Sequence, residues 1–330
     1  MNARETAITQ IVKSRPFALL LIITTVVAAI TAAATVLHPH TLVQPEMGII
    51  ALNGFANGAT ITVCLALNII AVIMMSFLNG QYNLLRTTSW LFLAMMIVSQ
   101  GGNPGMMTHA TMGLAGCVAL LICIWICFST YQQPHQTKRV FLLFFIISCM
   151  GCCHYAYLAY LPVFFAGIAQ MRAISMRSIL AALVGIVVPV WLLWSFSIVD
   201  FSHLTPPHIT ITSMTMLKGN PVMSTTLTFT IIAGTMLTAA NMVKVYGYNA
   251  ITRAHNGLML LVWLITAVLC IFDFSNLWAT LPMLNCSTAF QSGLFFRIYT
   301  RQRAYLPVTI MIAAYAALYI WTILQPNISM

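Results

Sequence analysis

The segment FALLLIITTVVAAITAAATVL, residues 17–37, decides the fold class, because it is apolar apart from four threonines and carries no charged side chain. A helix of about 20 such residues crosses the hydrocarbon core of a bilayer. Further apolar segments follow at 59–78, 89–100, 110–130, 140–152, 155–170, 179–198, 225–243, 257–272, 276–296 and 305–324. The pattern predicts an all-α, polytopic transmembrane helical protein with about 10–11 spans.

The composition supports a membrane protein throughout. Hydrophobic residues make up 61% of the 330 residues and charged residues only 5%, whereas soluble domains carry about 25% charged residues. We therefore predict a single integral membrane domain over residues 1–330, with a cytoplasmic amino-terminal tail at 1–16 and the largest extracytoplasmic loop at 199–224. The net charge of +10 is scattered between apolar segments, and this lack of a basic patch argues against nucleic acid as a partner.

Three segments, 89–100, 140–152 and 155–170, are short for full spans, which indicates tilted, broken or re-entrant helices. Irregular backbone inside a membrane is tolerated only where protein or a water-filled cavity satisfies it. We predict that the chain breaks at His154-Tyr155 and that 140–152 and 155–170 form a short hairpin pointing outward.

The basic residues predict the orientation. With this set of spans, all 14 lysines and arginines except Lys218 fall on one side of the membrane. The positive-inside rule makes that side cytoplasmic. We expect a multi-pass protein of a bacterial inner membrane, with a cytoplasmic amino terminus and an extracytoplasmic carboxyl terminus.

Acidic residues gather on the opposite side, at Glu46, Asp200 and Asp273. The candidate catalytic residues are Glu46, as general base, with Asp200 and His203. For Glu46 the alternative is a solvated loop carboxylate beside turn-forming prolines. Asp273 follows the ninth span, where a carboxylate near membrane depth marks a functional site or caps the next helix.

The candidate substrate-binding residues share either this outer placement or a dense positive charge suited to an anionic headgroup. They are His38, His40, Asp273, Arg297, Arg301 and Arg303. The 9 cysteines all fall inside apolar segments, where a thiol packs like a small hydrophobe. There is no Walker motif and no dinucleotide fingerprint, and we predict no metal and no cofactor.

The middle of the chain carries a resemblance. Its elements, in order, are Asn103-Pro104-Gly105, a short helix over Phe141 to Cys153, a break at His154-Tyr155, the run Tyr160 to Phe165, the basic turn Met171 to Arg177, and the Val184 to Pro189 helix with its Gly-x-x-x-Pro pattern. This order resembles a family of uncharacterised multi-span inner-membrane proteins from Bacteroidota. Pro45 and Glu46 match the prolines and acidic residue of that family's first outer loop. The family brings no established activity.

The short helix pair also resembles, more distantly, the membrane core of glycosyltransferases that use polyprenyl-phosphate sugars. Those enzymes place an acidic residue in the first outer loop, and Glu46 has the matching position. This chain lacks their paired acidic motif and their large extracytoplasmic domain.

These observations favour a cell-envelope membrane protein that acts on a lipid-linked or glycan substrate at the extracytoplasmic face, or assists its assembly. Whether the chain is an enzyme stays open at this point. The alternatives are a transporter or flippase, and a non-catalytic membrane subunit of an envelope complex. The expected partners are membrane lipid and a polyprenyl-linked substrate or other envelope proteins.

Overall fold

The structure is a computed structural model that describes residues 14–35, 57–85, 89–133, 135–196, 221–245, 247–298 and 305–324. These residues form 12 α-helices and no strand, which confirms the all-α prediction. The helices are α1 (Arg15–Thr35), α2 (Asn57–Tyr82), α3 (Ser89–Gly101), α4 (Pro104–Thr108), α5 (Thr111–Ser129), α6 (Thr137–Cys153), α7 (Tyr160–Gln170), α8 (Met176–Ser195), α9 (Pro221–Val245), α10 (Ala250–Phe272), α11 (Leu277–Ile298) and α12 (Tyr305–Leu324).

Every apolar segment of the sequence corresponds to a helix, and 7 of the helices are long and apolar enough to cross a membrane. These are α1, α2, α5, α8, α9, α10 and α12. The others depart from a simple span in different ways: α3, α6 and α7 are short, and α11 has the length of a span but a polar composition. The chain is a multi-pass membrane protein in which a few helices are shorter or more polar than an ordinary transmembrane helix.

Helix α11 occupies the centre of the fold. It packs against α3, α5, α9 and α10. Between Leu277 and Phe296 its side chains are buried, apart from the half-buried Trp278 and Phe295. Peripheral helices such as α8 show the reverse pattern, with large apolar side chains on the outside of the protein.

The third predicted span, 89–100, is the continuous short helix α3, and the chain breaks directly after it. Helix α3 ends at Gly101, and α4 begins three residues later at Pro104. The break lies tight against its neighbours, since a Cβ at Gly102 would lie 2.9 Å from the ring of Tyr315 and one at Gly101 would overlap Thr25. Glycine is needed at both positions for this close approach.

The predicted break at His154-Tyr155 is confirmed. Helix α6 ends at Cys153, His154 is extended, and a 3₁₀ helix over Tyr155–Ala159 leads into α7. At about 1.5 Å per residue, α6 reaches about 25 Å and the 155–170 segment about 24 Å, which is less than the roughly 30 Å of a hydrocarbon core. Helix α6 packs mainly on α8, and α7 on α10. The outward direction of this pair stays a prediction.

The turn after α5, the turn after α7 and the start of α10 lie next to basic residues and meet at one end of the bundle, here called the basic end. The amide of Gln132, after α5, donates to the carbonyl of Met171, after α7, at 2.8 Å. Tyr131 contacts the ring of His255, near the start of α10. At the opposite end, the Tyr157 hydroxyl donates to the carbonyl of Ala279 at 2.9 Å. Asp273 lies at this opposite end.

Candidate functional site in the polar interior

The central helix α11 carries a series of buried polar side chains along its length. They are Thr280, Asn285, Ser287, Thr288, Gln291 and Ser292, and each is at most 5% exposed. Polar groups inside a membrane are costly and are placed toward the protein interior or a water-filled cavity. The composition of α11 therefore explains why it is central and surrounded by the more apolar helices.

Several of these side chains bind α11 to its neighbours. On α9, the amide nitrogen of Asn241 donates to the backbone carbonyl and to Oε1 of Gln291, both at 2.9 Å. On α10, the indole nitrogen of Trp263 donates to the hydroxyl of Thr288 at 3.1 Å. Hydrogen bonds of this kind between membrane helices contribute about 0.6 kcal/mol on average.

Other polar groups beside α11 have unused hydrogen-bonding capacity. Gln100, in the last turn of α3, is fully buried, and neither its Oε1 nor its Nε2 has a hydrogen-bond partner among the described residues. Its neighbour Ser99 accepts a hydrogen bond from Nδ2 of Asn285 through its carbonyl, at 3.3 Å, while Oδ1 of Asn285 has no partner there. A buried amide without a partner costs about 1–3 kcal/mol.

The break between α3 and α4 adds a further polar group to this region. Nδ2 of Asn103 lies 3.2 Å from the sulfur of Met223 on α9, and its Oδ1 has no hydrogen-bond partner among the described residues. Close by, Tyr315 on α12 shares a 2.9 Å hydrogen bond with Thr230 on α9. We call Gln100, Asn103 and Asn285 the interior amide cluster.

A second polar group lies at the end opposite the basic end. Oδ2 of Asp273 is 3.8 Å from Nε2 of His154, and both side chains are nearly inaccessible. This is too long for a direct hydrogen bond. The amide of Ala156 approaches Nδ1 of His154 as a donor, at 3.3 Å. The proton of a neutral imidazole is therefore assigned to Nε2, the nitrogen that faces the carboxylate.

The surroundings of this pair hold both side chains in place. Nδ2 of Asn276 donates to Oδ1 of Asp273 at 2.6 Å. The ring of Tyr155 stacks on His154 with centroids 5.3 Å apart, and Tyr157 packs against the same ring. Burial lowers the pKa of His154, and the carboxylate of Asp273 opposes that shift. The imidazole is therefore neutral at pH 7, with a donor directed toward a carboxylate.

Metal ligation receives no support from the described residues, among which no three His, Cys, Asp or Glu side chains group together. The described cysteines are all free thiols and most are buried. The absence of metals and cofactors stays a prediction.

Of the site residues predicted from the sequence, Asp273 is the one whose side chain the structure describes. Arg297 lies in the last turn of α11, but its side chain falls outside the described part. The remaining candidates also lie outside the described residues: His38, His40, Glu46, Asp200, His203, Arg301 and Arg303. For Asp273, the 3₁₀ helix that follows receives no capping hydrogen bond from its side chain.

Sequence reasoning placed His154 and Asp273 on the same side of the membrane but did not pair them. It also missed the interior amide cluster and the polar character of α11. The signal was present in the 276–296 segment, which has far more Asn, Gln, Ser and Thr than the 179–198 segment.

The fold and site together define an all-α multi-pass membrane protein with a polar central helix. Comparison of the chain with known protein families, curated proteins and solved structures gives no match. The resemblances to the Bacteroidota family and to the glycosyltransferase membrane core therefore stay predictions.

Proposed function

We propose that this protein is an inner-membrane transporter that moves a small polar solute along α11, between the Asp273 end and the basic end. The observation that carries the proposal is the buried polar side chains of α11, together with the unused groups of the interior amide cluster. A helix needed only for packing is more stable with apolar side chains, because a membrane offers polar groups no alternative partners. A solute with hydroxyl or amide groups would satisfy them.

The break between α3 and α4 supports the same function. Discontinuous helices are a recurrent feature of transporter binding sites, where the freed backbone and the helix ends contact the substrate. Here the break places Asn103 and Gln100 beside the central helix. The cluster contains amides and no charged group, so the proposed solute is uncharged or weakly charged.

In this proposal His154 and Asp273 form the outer gate. A carboxylate and an imidazole 3.8 Å apart respond to protonation, because a charged imidazole binds the carboxylate more strongly than a neutral one does. The proposed orientation is supported by the basic end, which the positive-inside rule makes cytoplasmic. The amino terminus is then cytoplasmic and the carboxyl terminus extracytoplasmic.

A second candidate function is the handling of a lipid-linked or glycan substrate at the outer face, by an enzyme or by an accessory protein. The observation that favours it is the Asp273 carboxylate, buried beside His154 at the end that this orientation makes outer. The proposed catalytic carboxylate in that case is Glu46. The substitution Glu46→Gln, which keeps size and removes charge, would then abolish complementation of a deletion strain while leaving expression unchanged.

Thiol accessibility tests the transport proposal without knowledge of the substrate. In a background with the native cysteines replaced by alanine, Ser287→Cys and Ser292→Cys place a thiol on the polar side of α11, with little change in size. Val187→Cys is the control, since Val187 is 61% exposed on the outside of α8. Each variant is reacted in membrane vesicles with a small, charged, water-soluble methanethiosulfonate.

We expect the two α11 thiols to react and the α8 thiol to stay unmodified, because a transport path admits water and a lipid-facing site does not. Elution of each variant at the native position in size-exclusion chromatography controls for folding. If the α11 thiols are as unreactive as the α8 thiol, the polar side chains of α11 serve packing alone and the proposal is wrong.

A further inference from the structure

Three sulfur-containing side chains meet in the main hydrophobic core, where α5 packs against both α2 and α11. The thiol of Cys286 on α11 lies 3.8 Å from Sδ of Met75 on α2 and is directed toward it as a hydrogen-bond donor. The same thiol forms a side-chain hydrogen bond with Cys117 on α5. We call Met75, Cys117 and Cys286 the sulfur cluster.

The sulfur cluster lies deep inside the protein. Met75 and Cys117 are fully buried, Cys286 is 2% exposed, and both cysteines are free thiols. Close packing of α5 on α11 holds the two thiols together, since a Cβ at Gly116 would overlap the side chain of Met283. Gly116 directly precedes Cys117, and Met283 lies three residues before Cys286 on the same helix. The contact between the two helices therefore fixes the cluster.

The sulfur atoms provide the ligands that a soft metal ion prefers. Thiolate and thioether groups select copper(I), whereas hard cations prefer oxygen. No three His, Cys, Asp or Glu side chains group together in the described part of the chain, but methionine is a further ligand that soft ions accept. Zinc is less suited to the cluster, because its structural sites have four ligands drawn from cysteine, histidine and carboxylates.

The spacing of the sulfur atoms also suits a bound ion. Thiolate sulfur lies about 2.3 Å from a bound metal ion, so three sulfurs around one ion at the centre of a triangle lie about 4 Å from one another. The distance of 3.8 Å between Cys286 and Met75 is close to this value. An ion between the three sulfurs therefore requires little movement of the side chains and no separate cavity.

We propose that the sulfur cluster binds one copper(I) ion. The thiol of Cys286 releases its proton to the solvent and its sulfur bonds to the ion, while the sulfurs of Cys117 and Met75 each donate a lone pair. Copper is neither oxidised nor reduced in this step. The single thiolate cancels the single positive charge, and an uncharged complex suits an apolar core in which an uncompensated charge is costly.

This site is independent of the transport proposal, because none of its residues belongs to the interior amide cluster and it is tested by binding alone. The absence of metal ions that the sequence predicts would then be wrong for copper(I).

The experiment uses the full chain, purified without metal in an uncharged maltoside detergent. Copper(I) is added under anaerobic conditions with ascorbate, in the presence of bathocuproine disulfonate as a competing chelator. The mixture is incubated until its copper content is constant, because a buried site fills only as the helices open transiently. Copper that stays with the protein in size-exclusion chromatography is then measured. We expect one ion per chain, since an isolated thiol does not compete with the chelator.

The variants Met75→Leu and Cys286→Ala each remove one ligand. Loss of a hydrogen-bonded partner outside the ligands lowers metal affinity about 10–100-fold, so loss of a ligand itself should cost at least about 100-fold. Met75→Leu conserves volume and keeps the test valid if Cys286→Ala does not fold. The matched controls are Met95→Leu and Cys123→Ala, which change equally buried side chains outside the cluster and should leave the affinity unchanged.

X-ray absorption at the copper edge gives a readout that a purely structural role of these residues would not change. The native protein should show only sulfur neighbours, at about 2.3 Å, and Met75→Leu should show one fewer. The proposal is overturned if the chelator removes all of the copper or if the retained copper has nitrogen or oxygen neighbours. It is also overturned if Met75→Leu binds copper as tightly as the native protein, or if the control variants lose copper as the ligand variants do.

Discussion

Helices α8 and α11 have nearly the same length, 20 and 22 residues, but contact the rest of the protein in different ways. Helix α8 buries one narrow stripe, made of Ser178, Ala182, Gly185 and Pro189. Its other faces show large apolar side chains such as Val187 and Trp191. Helix α11 is buried on every side and carries the polar residues. In this membrane protein, hydropathy therefore separates the periphery from the centre, with the most polar long helix innermost.

The largest expected effect concerns the contact between α5 and α11. A Cβ at Gly113 would overlap the backbone carbonyl of Trp278 and would lie 3.0 Å from that of Ala279. Backbone cannot yield as a side chain does, so Gly113→Ala should cost about 3 kcal/mol, at the upper end of overpacking effects. Thermal unfolding in detergent measures this. The control is Gly80→Ala, which meets nothing within 4 Å, and equal unfolding temperatures for the two variants would contradict the prediction.

The corresponding substitution on α8 should have a smaller effect. A Cβ at Gly185 would lie 2.7 Å from the carbonyl of Phe141 on α6, a less severe overlap on a helix that has lipid-facing space to move outward. We expect Gly185→Ala to cost about 1–2 kcal/mol. Val187→Ala, on the exposed face of the same helix, should stay within about 0.5 kcal/mol of the native protein. A larger loss for Gly185→Ala than for Gly113→Ala would reverse the roles assigned to the two helices.

The polar contacts of α11 should contribute less than its steric ones. Asn241→Leu removes two hydrogen bonds to Gln291 and leaves Gln291 partly unpaired, which should cost about 1 kcal/mol. The double variant Asn241→Leu/Gln291→Leu should recover part of this loss, because it leaves no polar group without a partner. The readout is again the unfolding temperature. A double variant less stable than either single variant would show that the polar pair stabilises the fold beyond its own hydrogen bonds.

The smallest effect is expected from pH at the Asp273 end. Because burial lowers the pKa of His154 below its ordinary value of 6.5, the unfolded chain takes up a proton at a higher pH than the folded chain does. The contribution of His154 to the free energy of unfolding is therefore at its full value above about pH 6.5 and decreases as the pH falls below that value. His154→Gln cannot titrate, so its unfolding temperature should decline less between pH 7.5 and 5. Parallel curves for the two proteins would contradict this.

The contrast between α8 and α11 also separates the features that the sequence could predict from those that it could not. The apolar segments predicted the helices, because a run of about 20 apolar residues in a bilayer forms a transmembrane helix. The break at His154-Tyr155 followed from segment length, whereas the break after Gly101 was not predicted at that position. The position of α11 did not follow, since hydropathy shows that a segment enters the membrane but not which neighbours surround it. The pairing of His154 with Asp273 depends on contacts between distant helices, which no local pattern contains.

The candidate site was predictable only in part for the same reason. Asp273 was singled out because a carboxylate at membrane depth is unusual. Gln100 and Asn285 were not identified as candidates, because single uncharged amides in apolar segments usually pack within the protein. Their significance depends on their unused hydrogen-bonding groups, which become evident only in the folded chain.

The polarity of α11 has a consequence for how the protein is made. Helices leave the insertion machinery in chain order, and each is sorted by its own affinity for lipid. Helix α11 is not among the 7 helices that are long and apolar enough to cross a membrane, and by the time it is synthesised α3, α5, α9 and α10 have already been made. We expect these four helices to assemble first and to stabilise α11 as it leaves the insertion channel, by packing around its polar side chains. In a truncated chain that ends after α11, we expect α11 to be inserted in the membrane. When α11 is fused after an unrelated transmembrane helix, we expect it to fail to insert.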